Sequence, residues 1–154
     1  MLTWISAACL GLLAPTARAD YLLTDSHGQP CGYEALVTAA AAAEVVLFGE
    51  LHDSAVVHRL QLQFARDLHT ARGGQLDLGL EMLETDTQLV LDEFLAGLIR
   101  PQDLQSEAKV WKNHATDYQP LLDWARETGL RVTASNVPRR YAALVAREGL
   151  AALE

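Results

Sequence analysis

The stretch that decides the fold is VVLFGELH, Val45–His52. It pairs naturally with two others, LDLGLEML at Leu76–Leu83 and LRVTASNVPR at Leu130–Arg139. Each is a short apolar run bounded by turn residues, which reads as a buried strand. Each also ends in groups that are costly to bury. These are Glu50 and His52 in the first, Glu81 in the second and Asn136 in the third. In an open α/β sheet the carboxyl ends of parallel strands share one edge, and ligands bind there. The three segments therefore predict one composite site.

Helical patterns separate the strands. Tyr33–Ala43 is Ala-rich. Asp53 or Ser54 caps a helix running to about Ala71, with Val57, Leu60, Phe64 and Leu68 on its core face and Gly73-Gly74 beyond it. Thr85–Gly97 forms a second helix, and Pro101–Val110 a short helical excursion. Asp117 caps a third helix that tolerates Pro120 in its first turn and stops at Gly129. Pro138 opens a last helix, expected to run on to Glu154. Strand–helix alternation predicts an α/β fold, a parallel sheet flanked by helices with a small helical excursion. A three-stranded sheet leaves edges unprotected, so the expectation is a C-terminally truncated domain.

Residues 1–19 read as a signal peptide, because Leu2–Ala14 is mostly apolar and Ala17-Arg18-Ala19 fits a cleavage site. That leaves residues 20–154 as the domain and predicts export to the periplasm or outer membrane. The run is too short to span a bilayer. Cys9 lies inside it and makes a poor lipidation site, so membrane contact is expected only with a lipid anchor. Cys31 is then the one remaining cysteine, and no internal disulfide can form. The net charge is −8, and residues 1–19 hold Arg18 and no acid, so the remainder is more acidic still. That balance excludes a nucleic-acid partner.

Several residues carry possible chemistry. Glu50 in a cleft could act as acid, base or ligand, and His52 could act beside it. His58 lies six residues on, which is the wrong spacing for a zinc helix shared with His52, although it could approach the same pocket. Glu81 in an apolar strand must be paired or functional, whereas Glu84 reads as solvated. Asn136 is a plausible N-cap. Arg139 and Arg140 oppose the dipole of the helix they open, which calls for an anion: Glu50, Glu81 or a ligand carboxylate. Trp111, His114 and Tyr118 form an aromatic–polar stretch, and Tyr118 could pack on a tryptophan or serve as a tyrosinate.

FGELHDSAVVH, LGLEMLETDTQ, WKNHATDYQPLLDWAR and ASNVPRRYA, in that order, resemble the ChaN-like haem-binding uptake proteins. The resemblance covers about residues 45–149. It implies an exported, often lipid-anchored protein that binds haem, serves haem or iron uptake with a transport system, and can form a homodimer. It implies a tyrosine on the haem iron: Tyr118, with Tyr141 as competitor. His52 or His58 would contact the haem or line its pocket with Asn136, and Arg139 or Arg140 would pair with propionates. The wider erythromycin-esterase and TraB/Tiki-like superfamily implies an alternative, a hydrolase using Glu50, His52 and Glu81 with or without a metal.

Overall fold

A computed structural model describes residues 21–154. The signal-peptide reading and Cys9 fall outside the described residues.

The second and third apolar segments form strands β1 (Asp77–Glu84) and β2 (Arg131–Asn136). They pair in parallel, from Asp77 opposite Arg131 to Leu80 opposite Ala134, with an irregularity before Glu84 meets Asn136. Side chains alternate as the pleat requires. Leu80, Met82, Val132 and Ala134 are buried, while Asp77, Gly79, Glu81, Arg131, Thr133 and Ser135 are exposed. One face of the sheet is thus packed and the other is open.

The packed face meets the crossover between the strands. Helices α3 (Gln88–Leu95), α4 (Pro101–Glu107) and α5 (Gln119–Thr128) contribute Leu91, Phe94, Leu104 and Leu122 to a core shared with Leu83. Gln88 acts as a surrogate strand. Its amide donates to the Val132 carbonyl at 3.0 Å and accepts from the Ala134 N–H at 2.7 Å. That side chain satisfies part of a β2 edge that would otherwise be left open. α5 ends where Gly129 takes φ +68°, a left-handed cap that favours glycine.

Helix α1 (Tyr33–Ala41) packs on α2 (Ala55–Ala71) in a smaller cluster of Ala40, Phe64 and Leu68. The Tyr33 hydroxyl donates to Asp67 at 2.7 Å and fastens the pair. Ser54 caps α2, accepting from the Val57 N–H. Helix α6 (Arg139–Glu148) buries none of its residues. It stops at Gly149, with a short 3-10 turn over Leu150–Leu153, rather than running to Glu154 as expected. No helix among the described residues is long and apolar enough to cross a membrane.

The α/β class with a parallel sheet and flanking helices holds, but the first apolar segment does not join the sheet. Glu44–Gly49 has no ladder partner, and Val45 and Leu47 are 77% and 92% exposed. The segment instead borders a cleft of about 740 Å³ along Leu78 and Leu80 of β1. Apolar content predicts a preference for burial, whereas a strand also needs a hydrogen-bonding neighbour at the right distance.

This arrangement separates two leucines that look alike in the sequence. Leu83→Ala should destabilise the fold by about 2–5 kcal/mol, because the side chain is fully buried. Leu47→Ala should change stability by less than about 0.5 kcal/mol. Chemical denaturation of both variants checks this, and a large loss at Leu47 would place the segment in the core.

Candidate functional site

A cleft of about 880 Å³ opens at the carboxyl ends of β1 and β2. Glu84 and Asn136, the last residues of the strands, line it with Val137, Arg139 and Ala142. The opposite wall is Lys109–Asn113, and His52, Asp53 and Asp117 complete it. Its size lies within the range of ligand pockets. Trp111 supplies an aromatic surface, its ring 4.6 Å from that of His52 and 5.6 Å from that of Tyr118.

Behind this wall lies a hydrogen-bonded cluster centred on Glu50. The Tyr118 hydroxyl donates to Glu50 Oε1 at 2.5 Å, and His52 Nδ1 lies 3.1 Å from the same oxygen. The His52 carbonyl accepts from the Asn113 amide at 2.7 Å and faces His58 Nε2 at 3.1 Å. A carbonyl only accepts, so His58 carries a proton on Nε2. His58 Nδ1 therefore faces Glu50 Oε2, at 3.5 Å. Both atoms are buried and neither has a hydrogen-bond partner among the described residues. Asn113 also donates to Asp117 at 2.7 Å. These contacts tie the loop before α2 to a five-residue π-turn, His114–Tyr118, that leads into α5. Such turns recur at functional sites. The third helix therefore starts at Gln119, and Asp117 belongs to the π-turn rather than capping it.

Tyr118 is fully buried. Burial first, and then the Glu50 carboxylate, push its phenol above the ordinary value near 10. The hydroxyl is held as a proton donor inside the protein and is not offered to the cleft. His114 is buried too, with Nε2 at 3.0 Å from Gln119 Oε1, and burial lowers its pKa.

The strand-end set expected from the sequence is only partly assembled. Glu50 and His52 are in contact, and His52 and Asn136 line one cleft. Glu81 stands apart on the open face of β1, exposed and bordering the other cleft. Its buried neighbours Leu80 and Met82 fix that orientation, since alternate residues of a strand point to opposite faces. The expectation of a buried carboxylate assumed a sheet covered on both faces.

The two arginines find partners inside the protein, but neither partner is Glu50 or Glu81. Arg139 pairs with Glu84 through its guanidinium, and its backbone N–H donates to the same carboxylate at 3.0 Å. Arg140 pairs with Asp86. The Glu84 side chain is only 12% exposed, not solvated as the sequence suggested. Its desolvation is outweighed by the bonds from Arg139, which hold the carboxyl below its ordinary range. Arg139 also reaches the carbonyl of Lys109, whose backbone is left-handed at φ +49°. The dipole conflict at Arg139-Arg140 signalled an anion. It did not reveal that Glu84-Thr85-Asp86, at the end of β1, would supply it. Asn113, Lys109 and Lys112 gave no signal of their own. Among the described residues, no group of three or more His, Cys, Asp or Glu side chains could hold a metal ion.

Fold and cleft together define an α/β domain with a ligand-sized site at the ends of its parallel strands. The family described as haem-binding uptake, Tiki superfamily, ChaN matches residues 36–154, and the chain belongs to that family. A solved structure described as "Cofacial heme binding to ChaN of Campylobacter jejuni" shares the fold, with a TM-score of 0.66 at 20% identity. The match covers 79% of this chain and 50% of that one, so the chain spans about half the length of the solved relative. No curated protein matches.

The buried phenol carries a pH signature. A folded-state pKa raised above the unfolded value contributes stability that is fully present below about pH 10 and is lost as the pH rises through the folded value. Tyr118→Phe should flatten the alkaline decline by about 1.4 kcal/mol per pH unit, the slope of one proton. Denaturation midpoints of wild type and variant above pH 10 measure it. Parallel alkaline limbs would show that Tyr118 ionises freely.

Proposed function

We propose that the protein binds haem in the strand-end cleft and serves haem or iron uptake outside the cytoplasm. The observation that carries this reading is the make-up of the cleft. Trp111, Val110, Val137 and Ala142 give it apolar and aromatic surface, and the exposed Lys109 and Lys112 place cations on the same wall. Haem presents a flat apolar macrocycle, two anionic propionates and an iron that accepts an axial ligand. The lysines suit the propionates better than Arg139 and Arg140, which already neutralise Glu84 and Asp86. His52 and Asn136 also line the cleft. His58, being buried, supports the pocket from behind.

Membership of the haem-binding family supports the ligand class. Exposure favours one tyrosine over the other in this reading. Tyr118 is sealed against Glu50. Tyr141 is 43% exposed on α6, next in sequence to the cleft-lining Ala142. The Arg140 guanidinium lies 4.7 Å from its ring. Tyr141 is therefore the iron ligand in this reading, and Tyr118 belongs to the framework. The apolar run at Leu2–Ala14 and the Ala17-Arg18-Ala19 site support export to the periplasm or outer membrane. The exposed α6 suits a homodimer contact, and a transport system would take the haem onward.

A second reading, acid–base hydrolysis, is favoured by the buried Glu50 Oε2 and His58 Nδ1, which face each other at 3.5 Å. It loses Glu81, which the fold places elsewhere.

Hemin titration tests the first reading. Wild type should bind saturably and show a tyrosinate-type charge-transfer band. Tyr141→Phe should lose the band and Tyr118→Phe should keep it. The reverse pattern, with both variants folded, would return the iron to Tyr118, and absence of saturable binding by wild type would sink the haem reading.

A further inference from the structure

Glu50 sits where the loop before α2, the body of α2 and the π-turn meet. Its Oε1 takes two contacts, the Tyr118 hydroxyl at 2.5 Å and His52 Nδ1 at 3.1 Å. An ionised carboxylate oxygen only accepts, so the nitrogen of His52 facing it is the protonated one. A neutral imidazole has one protonated nitrogen, and Nε2 is then the bare one. An unconstrained imidazole prefers the opposite tautomer. The Trp111 ring, 4.6 Å away, packs beside the ring of His52, which lines the strand-end cleft.

The other oxygen of Glu50, Oε2, lies 3.5 Å from His58 Nδ1, and both atoms are buried, so the carboxylate is held between two histidines.

We propose that Glu50 is a positioning residue: backed by Tyr118, it holds His52 as the Nδ1–H ring, so that the ring meets the ligand of the strand-end cleft through an unprotonated Nε2. This is the role of a carboxylate behind a ligand-binding histidine, where the partner of one nitrogen decides what the other offers. The identity of the ligand rests on the haem reading, whereas the state of the ring does not.

The test is nitrogen NMR of the full chain without hemin, using long-range correlations of the imidazole rings at mildly alkaline pH. Wild type should show His52 protonated at Nδ1. Glu50→Gln retains an acceptor and should preserve that tautomer, while Glu50→Ala should move His52 to the Nε2–H form. Hemin affinity should then fall roughly 10–100-fold in Glu50→Ala, stay near wild type in Glu50→Gln, and keep the tyrosinate band in both. An Nε2–H ring in wild type overturns the proposal, and so does an unchanged Nδ1–H ring in Glu50→Ala. If Glu50→Ala does not fold, the wild-type tautomer still decides. Correct tautomers with no hemin bound by wild type would reject the haem reading and leave the positioning role standing.

Discussion

The Tyr118 hydroxyl reaches Glu50 at 2.5 Å across 68 residues of sequence, and the geometry of the cleft depends on that contact. It joins the loop that precedes α2 to the π-turn that precedes α5. Without it, the loop would be held mainly through the His52 carbonyl, which meets Asn113 and His58. With it, the His52 ring is fixed against Trp111 and one wall of the cleft is complete. A hydrogen bond from a buried phenol to a charged acceptor contributes roughly 1.5–3 kcal/mol, enough to order a short loop. The same bond explains why Tyr118 suits a framework role. A phenol that must donate its proton to a neighbouring carboxylate is poorly placed to lose that proton to iron.

The other wall is held differently. α6 buries no residue fully, with only Leu144 and Val145 partly covered, so apolar packing fixes it less than it fixes α2 and α5. Ion pairs attach it: Arg139 to Glu84, the last residue of β1, and Arg140 to Asp86 just beyond. Half-exposed ion pairs are individually weak. The Arg139 backbone N–H also bonds Glu84, so one carboxylate engages the start of the helix twice. This places an anion at the helix N-terminus, which the dipole favours, and offsets the two cations that the dipole opposes. The cleft thus lies between one wall locked by a buried bond and another held by surface charge.

Much of this was legible in the residues, and the limits have physical causes. LDLGLEML and LRVTASN read as strands because a strand's period survives in its side chains, and both formed. VVLFG read equally well yet has no ladder partner, since periodicity reports which faces want burial and says nothing of a neighbour's presence. Glu81 was misplaced for a related reason: an apolar run suggested two covered faces, and the sheet has one. The anion demanded by Arg139-Arg140 was inferred correctly and its identity was not, because pairing across 55 residues is a property of the parallel register. His52 and Asn136 line one cleft as expected, although His52 reaches it from a loop rather than from a strand end.

The unresolved tension at Glu50 bears on how the two functional readings relate. A binding site needs its histidine oriented, and an acid–base site needs its histidine and carboxylate to exchange a proton. Here one oxygen of Glu50 serves the first need through His52, and the other faces His58 without a bond. With Glu81 on the far face, no second carboxylate from β1 joins the pair. Geometry thus gives Glu50 a firm contact with the ring of His52 and a longer one with that of His58.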